Sequence, residues 1–362
     1  MHTTSAVRLD LSREGILAHR RRASSLDVRM PAAEASLRSA AWAGLQDSMP
    51  RAALLSLHAR VRGIRPLDWE DPSLVQVWGP RFSAYVVAEA DAAVFTLGRL
   101  PAGGAGKARA ERTAERLEAL LDGRRMACDE AGHAMGVDPN ALRYATATGR
   151  LRIRWDGARQ PEIWMTPPPA MPASEARLEL ARRHLHVFGP STAESFAAWA
   201  GVHDPAARAV FAQLAPELVA VRTPVGEAWI LASDESSFRA RVVAAAEAGQ
   251  GSADEAAGGA GAGSPPVRFL PSGDPYFLLQ GADRTLLVPD PARRAELWTP
   301  RVWPGALLVS GEIAGVWRRS EGNVLISPWR RLSAAERAAV ESEAATLPLP
   351  GLRRAVAVTW MS

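Results

Sequence analysis

The 362-residue chain holds one cysteine, Cys128, and one lysine, Lys107. A single thiol can build neither an internal disulfide framework nor a cysteine-rich zinc site, and it suits a reducing compartment. With lysine almost missing, the positive charge is arginine. Forty-three basic residues against 39 acidic ones leave a net charge of only +4, which permits contact with nucleic acid without requiring it. Guanidinium forks suit phosphate, although a uniform arginine bias is equally a habit of composition. Long apolar runs are also lacking. A membrane-spanning helix needs about 18 such residues, and the stretch at 242–246 stops at Glu247. Residues 1–13 show no apolar core of a secretion signal. These absences predict a cytoplasmic protein with no membrane partner. The 47% hydrophobic and 23% charged content is that of a globular chain, and the length predicts two or three domains of roughly 150 residues.

Two segments read as linkers: 101–106, and the longer Gly/Ala/Ser-rich 249–266. What lies between repeats. Gly136-Val137-Asp138-Pro139 and Gly201-Val202-His203-Asp204-Pro205 each stop one helix at glycine and open the next with Asp and Pro. Trp42-Ala43-Gly44-Leu45-Gln46-Asp47 parallels Trp199-Ala200-Gly201-Val202-His203-Asp204 and reads as a third copy of the turn, with Asp47 as the cap of the following helix. Two strands follow each copy: 74–78 and 84–87, 151–155 and 162–165, 218–221 and 228–231. The expected fold class is α+β, with three tandem winged helix-turn-helix units followed by a C-terminal β-rich, barrel-like domain. The expected boundaries are 1–100, 107–168, 172–233, a helix and flexible linker over 234–266, and 267–362. In the last, strands are predicted at 306–309, 312–318, 324–326 and 355–360, with a helix at 334–345.

In such a unit the second helix can enter the major groove while the wing reaches the neighbouring backbone. Over 138–148, Leu142 and Ala145 face inward, and Asn140, Arg143 and Tyr144 share another face. Asn and Arg can read base edges and Tyr can stack. Arg150, Arg152 and Arg154 then fall on one strand face by period two, a basic stripe beside the candidate recognition helix. The alternative is a solvated arginine face, or a protein-interaction module.

Gly44-Leu45-Gln46-Asp47-Ser48-Met49-Pro50-Arg51-Ala52-Ala53-Leu54 resembles the G-L-Q-x-Q/D-x-P-x-x-A-L segment of the AlkZ-like winged-helix DNA glycosylases. The stretch from Trp78 to Val87 resembles that family's R-G-T-x-H-L-V hairpin, with Phe82 for Gly and Tyr85 for His. Phe188-Gly189-Pro190-Ser191-Thr192 resembles its Y-G-P-A-T segment, and Gly311 to Arg319 its G-x-x-x-G-x-W segment. The four stand in the family's order over most of the chain.

The resemblance implies duplex DNA as partner and removal of alkylated or crosslinked purines. A purine alkylated on N7 or N3 is already a cationic leaving group. The remaining task is to place a water beneath C1′ and stabilise an oxocarbenium ion, work for an amide and a carboxylate. The implied catalytic candidates are Gln46, Asp47 and Ser48, with Ser48 where the family has a second Gln or Asp. The candidate DNA contacts are Arg51, Arg81, Tyr85, Asn140, Arg143, Tyr144, Arg152, Arg154, Arg318 and Arg319. Alternatively, 46–48 is merely a turn and the protein is a non-catalytic DNA-binding or regulatory factor, or a scaffold. No metal, cofactor or nucleotide is expected. His184 and His186 point apart on a helix, Gly106-Lys107 lacks the Ser/Thr and first Gly of a phosphate loop, and Cys128 reads as buried and inert.

Overall fold

A computed structural model describes residues 9–157, 160–239, 266–351 and 355–361. The chain opens with β1 (Leu9–Asp10) and α1 (Arg13–Ala23), capped by Ser12, which accepts from the Gly15 N–H. Then come α2 (Glu34–Ala40), β2 (Leu45–Gln46), α3 (Ala52–Arg60), β3 (Leu74–Trp78), β4 (Ala84–Ala88) and α4 (Ala92–Leu97). A second series runs α5 (Gly104–Leu121), β5 (Met126–Ala127), α6 (Cys128–Met135), the 3-10 helix Pro139–Thr148, β6 (Leu151–Arg154) and β7 (Glu162–Met165). A third runs α7 (Ala173–Phe188), α8 (Ala193–Ala200), α9 (Asp204–Leu214), β8 (Leu218–Thr223) and β9 (Gly226–Leu231), with Ser191 bridged to Trp229 before α8.

The second and third series share one order: helix, short strand, helix, helix, hairpin. The short strand, Met126–Ala127 or Ser191, pairs with the second hairpin strand. In the first series β2 makes that pairing, Leu45 to Val86 and Gln46 to Tyr85. This corrects the register of the repeat. Gln46 lies on, and Asp47 directly after, the strand ahead of the helix pair, not in the turn inside it. Gly44 is left-handed (φ 74°), as Gly201 is (φ 70°), and such a glycine ends a helix whatever follows. In the first series the second member of the helix pair shrinks to the 3-10 turn Asp68–Glu70.

The first two series are fused. Gln76 of β3 pairs with Ile153 of β6, making one six-stranded sheet in the order β2-β4-β3-β6-β7-β5. The third hairpin takes β1 as a parallel partner. The expected linker at 101–106 is corrected too, since Gly104–Gly106 form the first turn of α5. Of the expected linker at 249–266 and the wider 234–266 segment, residues 240–265 lie outside the described residues; 235–239 are helical.

The C-terminal part is a sheet of β10 (Val267–Leu270), β11 (Gly305–Val309), β12 (Glu312–Ser320), β13 (Asn323–Pro328) and β14 (Ala357–Trp360), in that spatial order. Its last pair is parallel. The barrel-like expectation is not met, because this order is open and no closed barrel occurs among the described residues. Helix Ala334–Ala345, with the Ser333/Glu336 capping box, covers one face through Val340 and Ala344. The largest apolar core is shared rather than divided among units: it joins Val77 and Tyr85, Leu185 and Trp199, and Phe277 and Leu308. No helix among the described residues is long and apolar enough to cross a membrane.

Candidate active site and nucleic-acid interface

Gln46 sits on β2, an edge strand two residues long, so its side chain leaves the sheet where the chain turns toward α3. Its Nε2 donates to Ser48 Oγ. Its Oε1 is buried and has no hydrogen-bond partner, an acceptor left open at the candidate site. Ser48, Met49 and Pro50 are exposed.

Asp47 points the other way and is wholly buried. Its Oδ1 accepts from the Ala53 N–H at 3.0 Å, and its Oδ2 from Gln76 Nε2 at 2.8 Å. It therefore caps α3, as expected, but from outside the helix; the cap position itself is Arg51, left-handed at φ 65°. Burial outweighs these bonds and pushes the carboxyl up to about 7. The side chains of Gln46 and Ser48 meet, and Asp47 stands apart from them.

Two clefts flank this segment. One, of about 280 Å³, joins Ser48 to Trp78, Phe82, Trp155 and Arg143. The other, of about 210 Å³, joins Met49 and Pro50 to Trp303, Trp317, Arg318 and Arg319. Arg51 lies over the Trp69 ring, 3.8 Å from its centroid. Among the described residues, Arg51, Arg81, Arg143, Arg318 and Arg319 make no ion pair with a carboxylate. Four of them donate instead to carbonyls: Arg51 to Trp155, Arg143 to Phe82, Arg318 to Val302 and Arg319 to Glu321.

The other expected contacts divide. Asn140 is exposed; Tyr144 is half-buried, edge-on to Phe82 and beneath Arg109. The basic stripe is neutralised. Arg150 pairs with Glu118, Arg152 with Glu89 at 3.2 Å and Arg154 with Glu70 at 2.8 Å. Arg152 is also buried and donates to the Gly149 carbonyl, so it is a structural cation rather than a surface contact. Tyr85 is a second correction. It is fully buried between Gly44 and Gly79, on a strand flanked by β2 and β3, and its hydroxyl is pushed up to about 12. So enclosed, its side chain presents no surface to a partner in this structure.

Phe82 holds a left-handed conformation (φ 58°) next to Arg81 (φ 54°), a backbone that favours glycine. Phe82 stands where the resembled motif has glycine, and its phenyl ring carries the Arg99 guanidinium 4.3 Å from its centroid.

A model of the family described as DNA glycosylase AlkZ-like matches residues 40–348. The chain belongs to the AlkZ-like family. The match spans both clefts and the whole 44–54 segment. Among solved structures, Streptomyces sahachiroi DNA glycosylase AlkZ superposes with a TM-score of 0.75 at 17% identity, over 98% of this chain and 100% of that one. At that identity the likeness is one of fold. No curated protein matches in sequence.

The structure also shows polar contacts that the sequence motifs do not reveal. Gln76 is buried in β3. Besides holding Asp47, it accepts from the Trp155 N–H at 2.7 Å and donates to the Trp155 carbonyl at 3.2 Å, fixing one cleft wall to the other series. A polar residue inside Leu-Val-Gln-Val-Trp was its only sequence signal. Arg99 is buried, bonded to the Gly79 and Ala200 carbonyls, and lowered to about 10 by desolvation. His186 acquires Asp234 at 2.9 Å, and with His19 the three present ligating atoms within 4.8 Å of one another. Both His19 ring nitrogens are already engaged, by Ser237 Oγ at 2.6 Å and the His186 carbonyl at 2.9 Å.

Proposed function

We propose that the protein hydrolyses the N-glycosidic bond of a cationic, alkylated or crosslinked purine in duplex DNA. The single observation that carries this is the unpartnered Gln46 Oε1 beside Ser48, in a segment flanked by two aromatic clefts whose arginines lack carboxylate partners. A water accepting from Ser48 and donating to Oε1 attacks C1′ as the C1′–N bond breaks. The bonding pair leaves with the purine, cancelling its charge, and the water's proton passes to solvent. No acid is needed for a leaving group already cationic, and an amide suffices to orient the nucleophile. Asp47, enclosed in the α3 cap, serves as a strut.

In this reading the three series are winged-helix units, spanning 1–100, 107–168 and 172–233, with 267–362 as a β-rich fourth part. Arg51, Arg81, Arg143, Arg318 and Arg319 meet phosphates, and Asn140 and Tyr144 present the exposed end of the second series. The test is release of N7-methylguanine from methylated duplex. Gln46→Ala should slow it on the order of 100-fold, the scale of losing one preorganised group. Equal release by both proteins removes Gln46 from the mechanism.

A second reading, a DNA-binding factor without chemistry, is favoured by one observation: the only carboxylate of the 44–51 segment is buried. It predicts no release by either protein, with duplex affinity that still falls steeply with salt.

A further inference from the structure

The C-terminal sheet reaches the candidate site through the turn that follows β10. Residues Pro271 to Asp274 close this turn with an Asp274 N–H to Pro271 carbonyl bond of 3.0 Å. Gly273 is left-handed at φ 78°, and its α-carbon faces the Gln46 amide. A methyl group there would stand 3.2 Å from Gln46 Cδ and 3.3 Å from Nε2. The turn is pinned from below. Asp274 is fully buried and takes Arg60 in a bidentate pair, at 2.7 and 2.8 Å. Ser56 donates to the same carboxylate at 2.7 Å, and Arg60 also donates to the Ser56 carbonyl at 2.9 Å. Arg60 and Ser56 belong to α3, whose other end is held by Asp47, the neighbour of Gln46. One helix thus braces both the strand that bears Gln46 and the turn that lies against it.

We propose that the Pro271–Asp274 turn positions Gln46 for the reaction: Gly273 is the floor of the amide, and the Arg60–Asp274 pair holds that floor in place. This rests on the glycosylase reading above. The floor keeps Nε2 on Ser48 and leaves Oε1 free to hold the attacking water. Only glycine both tolerates this backbone and leaves the amide its room. Gly273 and Asp274 are positioning residues, since neither has a polar atom directed at a substrate.

The experiment is a double-mutant cycle on single-turnover release of N7-methylguanine from methylated duplex, with duplex Kd measured alongside. Gly273→Ala should lower the rate at saturating protein by about 10-fold or more, leave Kd within about two-fold, and cost nothing further in a Gln46→Ala background. Gly273→Asn tolerates the left-handed backbone and serves if the alanine variant does not fold; it carries the same expectations. An unchanged rate overturns the proposal. So does an equal loss in the Gln46→Ala background, which would show a general structural role. Absence of release by the wild type refutes the glycosylase reading and this proposal with it. Release by wild type that is insensitive to Gly273 refutes this proposal alone.

Discussion

Replacing Asp47 by asparagine tests the internal electrostatics of the site. The carboxyl stands at about 7 against an ordinary 3.8 because burial penalises its charged form more than the Ala53 and Gln76 bonds favour it. At ~1.4 kcal/mol per pH unit, that difference is worth roughly 4 kcal/mol. The folded value lies above the unfolded one, so the folded state prefers the proton. The associated stability is fully present below about pH 4 and is lost as pH rises through about 7. Three buried histidines act in the opposite sense: His19 is held down at about 4, His58 and His184 at about 3. Their stability is present above the ordinary 6.5 and lost on acidification, so the raw profile mixes both trends. The difference between wild type and Asp47→Asn isolates the carboxyl. Asparagine keeps an acceptor for Ala53 but turns an amide toward Gln76, a fixed offset at every pH. Urea unfolding across this range should show the variant gaining on the wild type by roughly 4 kcal/mol between about pH 4 and pH 7. A pH-independent difference would refute the reasoning: it would place the Asp47 titration near 3.8 and its carboxylate in water.

Further expectations separate surface from structure. Arg143→Ala should weaken duplex binding and reduce the salt slope by about 1, the signature of one lost phosphate contact. Arg152→Ala should leave that slope alone and lower stability by about 1–3 kcal/mol, since it strips a buried carbonyl of its donor; a salt titration and a urea curve for each variant tell them apart. Gly44→Ala should lower Tm markedly, because a methyl there meets Phe95 at 2.7 Å and Tyr85 at 3.0 Å on a left-handed backbone. Arg60→Met should cost about 3–5 kcal/mol in urea unfolding by stranding the buried Asp274 charge, and adding Asp274→Leu should recover much of it.

The fold was legible where local chemistry decides it. Asp138 accepts from the Asn140 N–H at 2.7 Å, the cap that the sequence announces. Leu142 and Ala145 face inward as their spacing requires, and β6, β7 and β11 to β13 lie where alternation and turns put them. The register of the first series was not legible. A left-handed glycine signals a helix end but not whether strand or helix follows, and the 3-10 turn at Asp68–Glu70 left no helical pattern to align. Shared elements were hidden for a similar reason. The pairing of Gln76 with Ile153, and of Leu9 with Val221, is made between segments remote in sequence, whose own patterns suit an edge strand equally well.

The site shows the same division at finer grain. The Gln46 to Ser48 segment is local, and resemblance could point to it. What makes it a site is assembled from far along the chain. The Gln46 amide rests on Gly273, its neighbour Asp47 bonds Gln76, and Gln76 holds Trp155 at the cleft wall. Charge misled for a related reason. Period two put Arg150, Arg152 and Arg154 on one face, but pattern says nothing of what packs opposite, and Glu118, Glu89 and Glu70 arrive from three other elements to neutralise them. The expected contact arginines left without carboxylates, Arg51, Arg81, Arg143, Arg318 and Arg319, come from scattered segments and share no periodicity. Four of them instead share aromatic neighbours: Trp69 under Arg51, Trp78 near Arg143, and Trp303 and Trp317 in the cleft with Arg318 and Arg319. An arginine beside a ring can sit at the edge of the core without a carboxylate and keep its charge for an incoming phosphate. In an arginine-rich chain, a basic stripe read from periodicity therefore has to be checked against the acids that fold onto it, and Glu118, Glu89 and Glu70 neutralise this one.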